Sequence, residues 1–269
     1  MKLAIVQFES VLNKAEENLQ TGLNYIDQAA LAGADLVCFP EAFTTTIDLA
    51  NISLIAEMAG GNIVSRLKQQ ARKSGIHVCA GFVEKENEKI YSSVAIIDNN
   101  GDVLGIYRRI HVFQLEKGFL NAGAKPLILE LSFGKVGIIV GYDIYFPELC
   151  RKYFKENVEL ILCPGIIPAP YTYTTRKIIQ ARAIENNCYL AFISHVGFNL
   201  FANFAYMGNS MVTVNPTFYS EINPDFEDGD EILKDGSGDM PEMLICDLDL
   251  KELRRQNIHN PQFLDIQLI

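Results

Sequence analysis

Paired cysteines, clustered histidines and an excess of positive charge are all missing from this 269-residue chain. Its six cysteines (38, 79, 150, 163, 188 and 246) lie far apart, mostly inside apolar runs, and there is no Cys-x-x-Cys. With only four scattered histidines beside them, a zinc site or a disulfide framework is not expected. The cysteines read as reduced, buried small hydrophobes. Acidic side chains number 33 and basic ones 23, a formal charge of −10. That balance speaks against nucleic acid or an anionic membrane as partner and favours solubility. No apolar stretch reaches the length of a membrane span, and no charged-then-apolar leader precedes the first strand-like run. A cytoplasmic protein without cofactor or metal is expected.

What is present suffices for a large core. Hydrophobic residues make up 49% of the chain and charged ones 21%, an ordinary globular balance. Nothing resembles a linker before residue 220, so residues 1–269 are expected to form one domain. It carries an acidic loop at 224–242 and a C-terminal tail from about 257.

Strand-like and helix-like runs alternate from end to end. MKLAIVQF opens as a strand, followed by a helix whose Leu19, Leu23, Ile26 and Ala30 recur at helical spacing and form one apolar stripe. ADLVCF is the next strand, residues 61–74 a second helix, and HVCAGFV a further strand. IYSSVAIID, the turn Asn99-Asn100-Gly101 and VLGIYRR read as a hairpin. PLILEL, VGIIV, ELILC, YLAFISHV, NSMVTV and EMLICDLDL supply more strands, with a helix over FPELCRKY and another over 171–186. The pattern predicts a mixed α/β fold whose sheet is not purely parallel.

The Asp- and Gly-rich stretch 224–242 invites a calcium-loop reading, but its acid spacing and Gly229 do not fit the EF-hand pattern. A solvated hairpin or mobile loop is the simpler expectation.

Three short motifs carry chemistry. Phe39-Pro40-Glu41 follows the strand ADLVCF. Tyr107-Arg108-Arg109-Ile110-His111 ends another strand and is followed by Glu116. VGIIVGYDIYFPELCRKY places Val140-Gly141-Tyr142-Asp143 at a strand-to-helix elbow, the kind of turn that presents a nucleophile at a sheet edge. In that order the motifs resemble the nitrilase superfamily of carbon–nitrogen hydrolases. The resemblance spans about residues 2–215 and extends to Arg182-Ala183-Ile184-Glu185-Asn186 and Gly208-Asn209-Ser210. It implies an α/β fold arranged as a four-layer α/β/β/α sandwich of two mixed β-sheets. It also implies a catalytic glutamate, lysine and cysteine at positions 41, 109 and 141.

Here those positions hold Glu41, Arg109 and Gly141, so the glutamate is kept and the other two are changed. Glu41 at a strand's end, in a partly dry pocket, is suited to act as general base. In the family the lysine stabilises the oxyanion. Arginine keeps the charge and adds a bidentate fork suited to a carboxylate, but it is longer and, with a pKa above roughly 12, cannot exchange a proton near neutrality. An Arg109–Glu41 ion pair is compatible with either role. Because strand neighbours face opposite ways, Arg108 should point outward if Arg109 points in. Glu116 matches the place where relatives carry a second, supporting glutamate; an exposed loop carboxylate is the alternative. Gly141 has no side chain, which closes the thiol route and relaxes any backbone strain at the elbow.

Substitute nucleophiles are few. Cys163, at the end of ELILC before Pro164-Gly165, is the candidate, against the alternative of a buried strand cysteine. Cys38 lies three residues before Glu41 and should face away from it. Tyr142 adjoins the elbow, but a phenol with a pKa near 10 is a poor replacement for a thiolate. Ser194 and His195 are strand neighbours and so no dyad. In the RAIEN helix, Arg182 and Glu185 are expected to brace the rear wall of the site. In relatives this region forms a dimer interface, so a homodimer or higher homo-oligomer is expected, with the tail after Gln256 reaching across to the neighbour.

Three readings follow. A pseudoenzyme would bind a small amide or carboxylate, or a protein partner. A working linear-amide hydrolase would use Cys163 or a Glu41-activated water. A purely structural oligomer would make no demand on the site. Position 141 favours the first.

Overall fold

A computed structural model describes residues 1–200, 202–216 and 231–258. The alternation in β1 (Lys2–Glu9) lays out the architecture. Leu3 and Ile5 point into one apolar layer, Ala4, Val6 and Phe8 into another. Successive elements are α1 (Ala15–Leu31), β2 (Leu36–Cys38), the short α2 (Ile52–Ile55), α3 (Asn62–Ser74), β3 (His77–Glu86), β4 (Lys89–Ile97) and β5 (Val103–Arg108). Next come β6 (Leu127–Leu131), β7 (Gly134–Ile138), α4 (Pro147–Lys155), β8 (Leu160–Gly165), α5 (Thr172–Asn186) and β9 (Tyr189–Val196). The two-residue strands β10 (Phe198–Asn199) and β11 (Phe204–Ala205) pair with each other. β12 (Met211–Thr213), β13 (Ile232–Asp235), β14 (Glu242–Asp247) and α6 (Leu250–Asn257) complete the described chain.

The strands form two mixed sheets. One runs β5-β4-β3-β2-β1-β14, parallel at β1–β2 and β2–β3 and antiparallel elsewhere. The other runs β6-β7-β8-β9-β12-β13, parallel at β7–β8 and β8–β9. β1 belongs to both, because its last residues, Phe8 and Glu9, pair in parallel with His195 and Val196 of β9. Leu3, Ile5, Leu36 and Val94 from the first sheet join Ile138, Leu160 and Leu162 from the second in one buried cluster, the layer between the sheets. Leu19, Leu23 and Ile26 of α1 and Ile63, Val64 and Leu67 of α3 cover the first sheet's other face. α4 and α5 bring Leu149, Tyr153, Ile179 and Ala183 to the second sheet. This is the four-layer α/β/β/α sandwich.

Several boundaries differ from the sequence reading. In α1 the fully buried alanine is Ala29, with Ala30 half-buried. β7 stops at Ile138, and a 3-10 turn over Gly141–Tyr145 precedes α4. EMLICDLDL is strand only to Asp247, because the Asp249 carboxylate accepts from the Glu252 N–H (2.9 Å) and caps α6. Of the acidic 224–242 stretch, residues 224–230 lie outside the described residues, and 232–235 form β13 against β12. Nearly all of the tail from 257 also lies outside them. No helix among the described residues is long and apolar enough to cross a membrane, and among them no cluster of potential metal ligands occurs.

One glycine sets how close Glu41 can come to the sheet. A Cβ on Gly81 of β3 would lie 2.5 Å from the Pro40 carbonyl and 2.6 Å from the Glu41 Cα. Both obstacles are backbone, so neither can swing aside. Gly81→Ala should therefore lower the urea-unfolding free energy by about 1–3 kcal/mol. Gly60→Ala, with open space around it, should change it by less than about 0.5 kcal/mol.

Candidate active site

Glu41 enters the interior just past β2, on a segment anchored by Phe39 N–H donating to the Cys79 carbonyl (2.8 Å). Its side chain is fully buried. Oε1 accepts from Ser92 Oγ–H (2.6 Å) and from Arg109 (2.9 Å), while Oε2 accepts from the Ile166 N–H (3.0 Å). Burial pushes this carboxyl above its usual range and the nearby Glu116 adds to that, while Arg109, Ser92 and the Ile166 N–H pull against both.

Arg109 follows β5 directly. Its neighbour Arg108 turns outward to Glu84 and Glu86 and lies 4.4 Å over the Tyr91 ring. Arg109 turns inward and is only 4% exposed. One terminal nitrogen holds Glu41 and the other holds Glu116, whose carboxylate also accepts from Phe113 N–H (3.1 Å). Burial opposes the guanidinium charge, but Glu41, Glu116 and Asp143 outweigh it and raise the Arg109 pKa. Its Nε is buried without a partner. Glu116 is thus an arm of the buried cluster rather than an exposed loop carboxylate.

Gly141 opens the turn at φ +47°, the left-handed region that favours glycine. A Cβ there would collide with Glu41 Oε2 and lie 3.7 Å from Arg109. The Glu41 carboxylate therefore fills the start of the space a residue-141 side chain would need. Arg109, held to the same carboxylate, keeps it there.

The remaining candidates divide. Tyr142 is half-buried and packs edge to face on Phe113 (5.3 Å) and Phe146 (5.2 Å). Cys163 does not end β8, which continues through Pro164 and Gly165 because both pair with β9. The Cys163 thiol is fully enclosed, and burial drives its pKa well above the ordinary range despite the opposing Gly141 N–H. It stays protonated near neutrality and is a poor nucleophile. Cys38 points into the layer between the sheets, opposite Cys79. Ser194 Oγ donates to the His195 carbonyl (3.1 Å), so the two make no dyad. Arg182 pairs with Glu185 (3.0 Å) and donates to the Ile144 and Tyr145 carbonyls, bracing the turn that begins at Gly141.

Three contributors are given no role by the sequence reading, Ser92, the Ile166 N–H and Asp143, and a fourth, His195, enters it only as a rejected partner of Ser194. Asp143 is fully buried and accepts from Tyr107 O–H (2.7 Å), Val140 N–H (3.1 Å), His111 N–H (2.9 Å) and His111 Nδ1 (2.7 Å). It ties the end of β5 to the elbow. His195 Nε2 meets the Glu41 carbonyl at 2.8 Å, and Nδ1 lies 3.2 Å from Ser10 Oγ.

Comparison with known proteins gives the class of the chain. Residues 2–217 match the carbon–nitrogen hydrolase family, and the chain belongs to that family. It is 33% identical over 213 residues to 2-oxoglutaramate amidase of Bacillus subtilis, covering 78% of this chain and 81% of that protein. It is 31% identical over 201 residues to omega-amidase NIT2 of Xenopus tropicalis, covering 71% and 72%. Solved structures of an amidase from Nesterenkonia sp. AN1 share the fold, with TM-score 0.81 at 23% identity over 96% of this chain and 98% of that one.

His195 gives the site a measurable pH signature. Complete burial lowers its pKa to about 4, with the Glu41 and Phe8 carbonyls opposing. An unfolded histidine titrates near ~6.5, so as pH falls the unfolded chain takes up this proton first. Stability from neutral His195 is therefore present above about 6.5 and lost as pH falls toward 4, by about 3 kcal/mol in all. Glu41, with its raised pKa, contributes with the opposite sign. The wild-type minus His195→Gln difference in urea-unfolding free energy isolates the histidine: it should shrink on going from pH 7 to pH 4.5.

Proposed function

We propose that this chain is a pseudoenzyme of the carbon–nitrogen hydrolase family, one domain in which Glu41, Arg109 and Gly141 stand at the triad positions. It retains the scaffold, lacks thiol-dependent amide hydrolysis, and binds a small amide or carboxylate or a protein partner. The observation that carries this reading is the Arg109 bridge between Glu41 and Glu116 beside a residue with no side chain. Both oxygens of Glu41 are engaged, so it is poorly placed to take a proton from a nucleophile. Both terminal nitrogens of Arg109 are engaged as well, leaving no free cation for an oxyanion. The exposed Tyr173 and Ile184 on α5 support a homodimer formed through that helix, and a cytoplasmic location is part of the same proposal.

The named relatives favour a second reading, an active amidase on small amides with a relocated nucleophile. Against it stand the protonated, enclosed thiol of Cys163 and the saturated carboxylate of Glu41. The test is ammonia release from a panel of short amides, nitriles and N-carbamoyl compounds. Wild type should be silent. The Gly141→Cys/Arg109→Lys double variant should exceed it by roughly two orders of magnitude or more, because the shorter lysine frees Glu41 to leave the Cβ position. Wild-type ammonia release that Cys163→Ala or Glu41→Gln abolishes would establish the active reading instead.

A further inference from the structure

A hollow of about 560 Å³ lies beside the buried cluster, between the 110–122 loop and the turn that follows Gly141. That is a usual size for a small-molecule site (~300–1,000 Å³). Neither Glu41, Arg109 nor Gly141 lines it.

The lining side chains that have bonding capacity left are mostly donors. Asp143 takes up His111 Nδ1, and this ring serves the wall of the hollow rather than the donor set. Asn121 spends its carbonyl oxygen on the Ile90 N–H (3.0 Å), which leaves its NH2 group to donate. Gln114 adds a second amide, and Lys117 adds an ammonium that enters none of the ion pairs among the described residues. Among the described residues no Asp or Glu lines the hollow, although the chain as a whole carries a charge of −10. Tyr142 and Phe146 supply the apolar wall. Their rings meet edge to face, and His111 is stacked on Phe146 at 3.6 Å. Because Asp143 fixes His111 and also holds the Val140 N–H, this wall is preformed rather than assembled by a ligand.

We propose that the hollow binds a small organic carboxylate with a flat or apolar body. Lys117, Asn121 and Gln114 hold the carboxylate, and Tyr142 and Phe146 carry the body. The inference rests on the pseudoenzyme reading, in which the binding role has moved out of the sealed Glu41 pocket into its neighbour. It names the chemical class of that ligand.

Isothermal titration at low ionic strength with benzoate, phenylacetate and 3-phenylpropionate, each beside its neutral amide, tests it. At least one carboxylate should bind with Kd below about 1 mM and at least about tenfold more tightly than its amide. Lys117→Glu should weaken that binding by about tenfold or more while leaving the unfolding midpoint unchanged, since Lys117 is exposed. Lys117→Arg should retain it. The proposal is overturned if no carboxylate binds, if acid and amide bind alike, or if Lys117→Glu is without effect. The two readings fail separately. Ammonia release by wild type would end the pseudoenzyme reading and leave the titration interpretable, whereas a silent protein that ignores carboxylates would end only this inference.

Discussion

One guanidinium between two carboxylates governs this molecule's interior. Glu41 is fully enclosed, and an unpaired carboxylate there would be strongly disfavoured. Arg109 is nearly as buried and would be equally costly alone. Each makes the other tolerable, and Glu116 completes the arrangement from the loop. A buried ion pair of this kind is weak evidence for net stability over an apolar alternative, but its halves are strongly interdependent. The neighbouring groups fit this interdependence: Ser92 and the Ile166 N–H satisfy the remaining capacity of Glu41, and Asp143 fixes the strand end from which Arg109 departs.

Positions 141 and 109 are physically coupled through Glu41. With glycine at 141, Glu41 Oε2 lies where a Cβ would begin. With arginine at 109, that carboxylate is held in place by a hydrogen bond of 2.9 Å. A side chain restored at 141 meets a carboxylate that cannot retreat while Arg109 remains. In the proposed reading, the base and the cation that amide hydrolysis would need are joined to each other, and position 141 offers no side chain as nucleophile. The fold is shared with amidases, but a function has to be argued from the site and not from the fold.

Much of this was legible in the sequence because strand alternation and three short motifs are local signals. The opposite orientations of Arg108 and Arg109 followed from the two-residue period of a strand. The layering of β1 is not legible in the same way, because Leu3–Val6 is an unbroken apolar run buried on both faces. Other features depend on contacts between distant segments. Ser92 reaches Glu41 only across β3, which pairs with β4 on one side and on the other with β2, the strand that leads to Glu41. His195 reaches the Glu41 carbonyl only because β9 meets the end of β1. Cys163 looked like a strand end because proline and glycine follow it, and pairing with β9 carried the strand through both. Asp143 had the clearest missed signal, an acidic residue two positions past the elbow glycine on an otherwise apolar run.

The most direct test of the account is a double-mutant cycle on the buried bridge, read as urea-unfolding free energy with Glu41→Gln, Arg109→Met and the double variant. Removing one partner alone should cost about 3–5 kcal/mol, because it strands the other. The double variant should cost far less than the sum of the singles, with a coupling of at least about 2 kcal/mol. Additive losses would mean that Glu41 and Arg109 are satisfied independently, and the sealed-pocket account would fail.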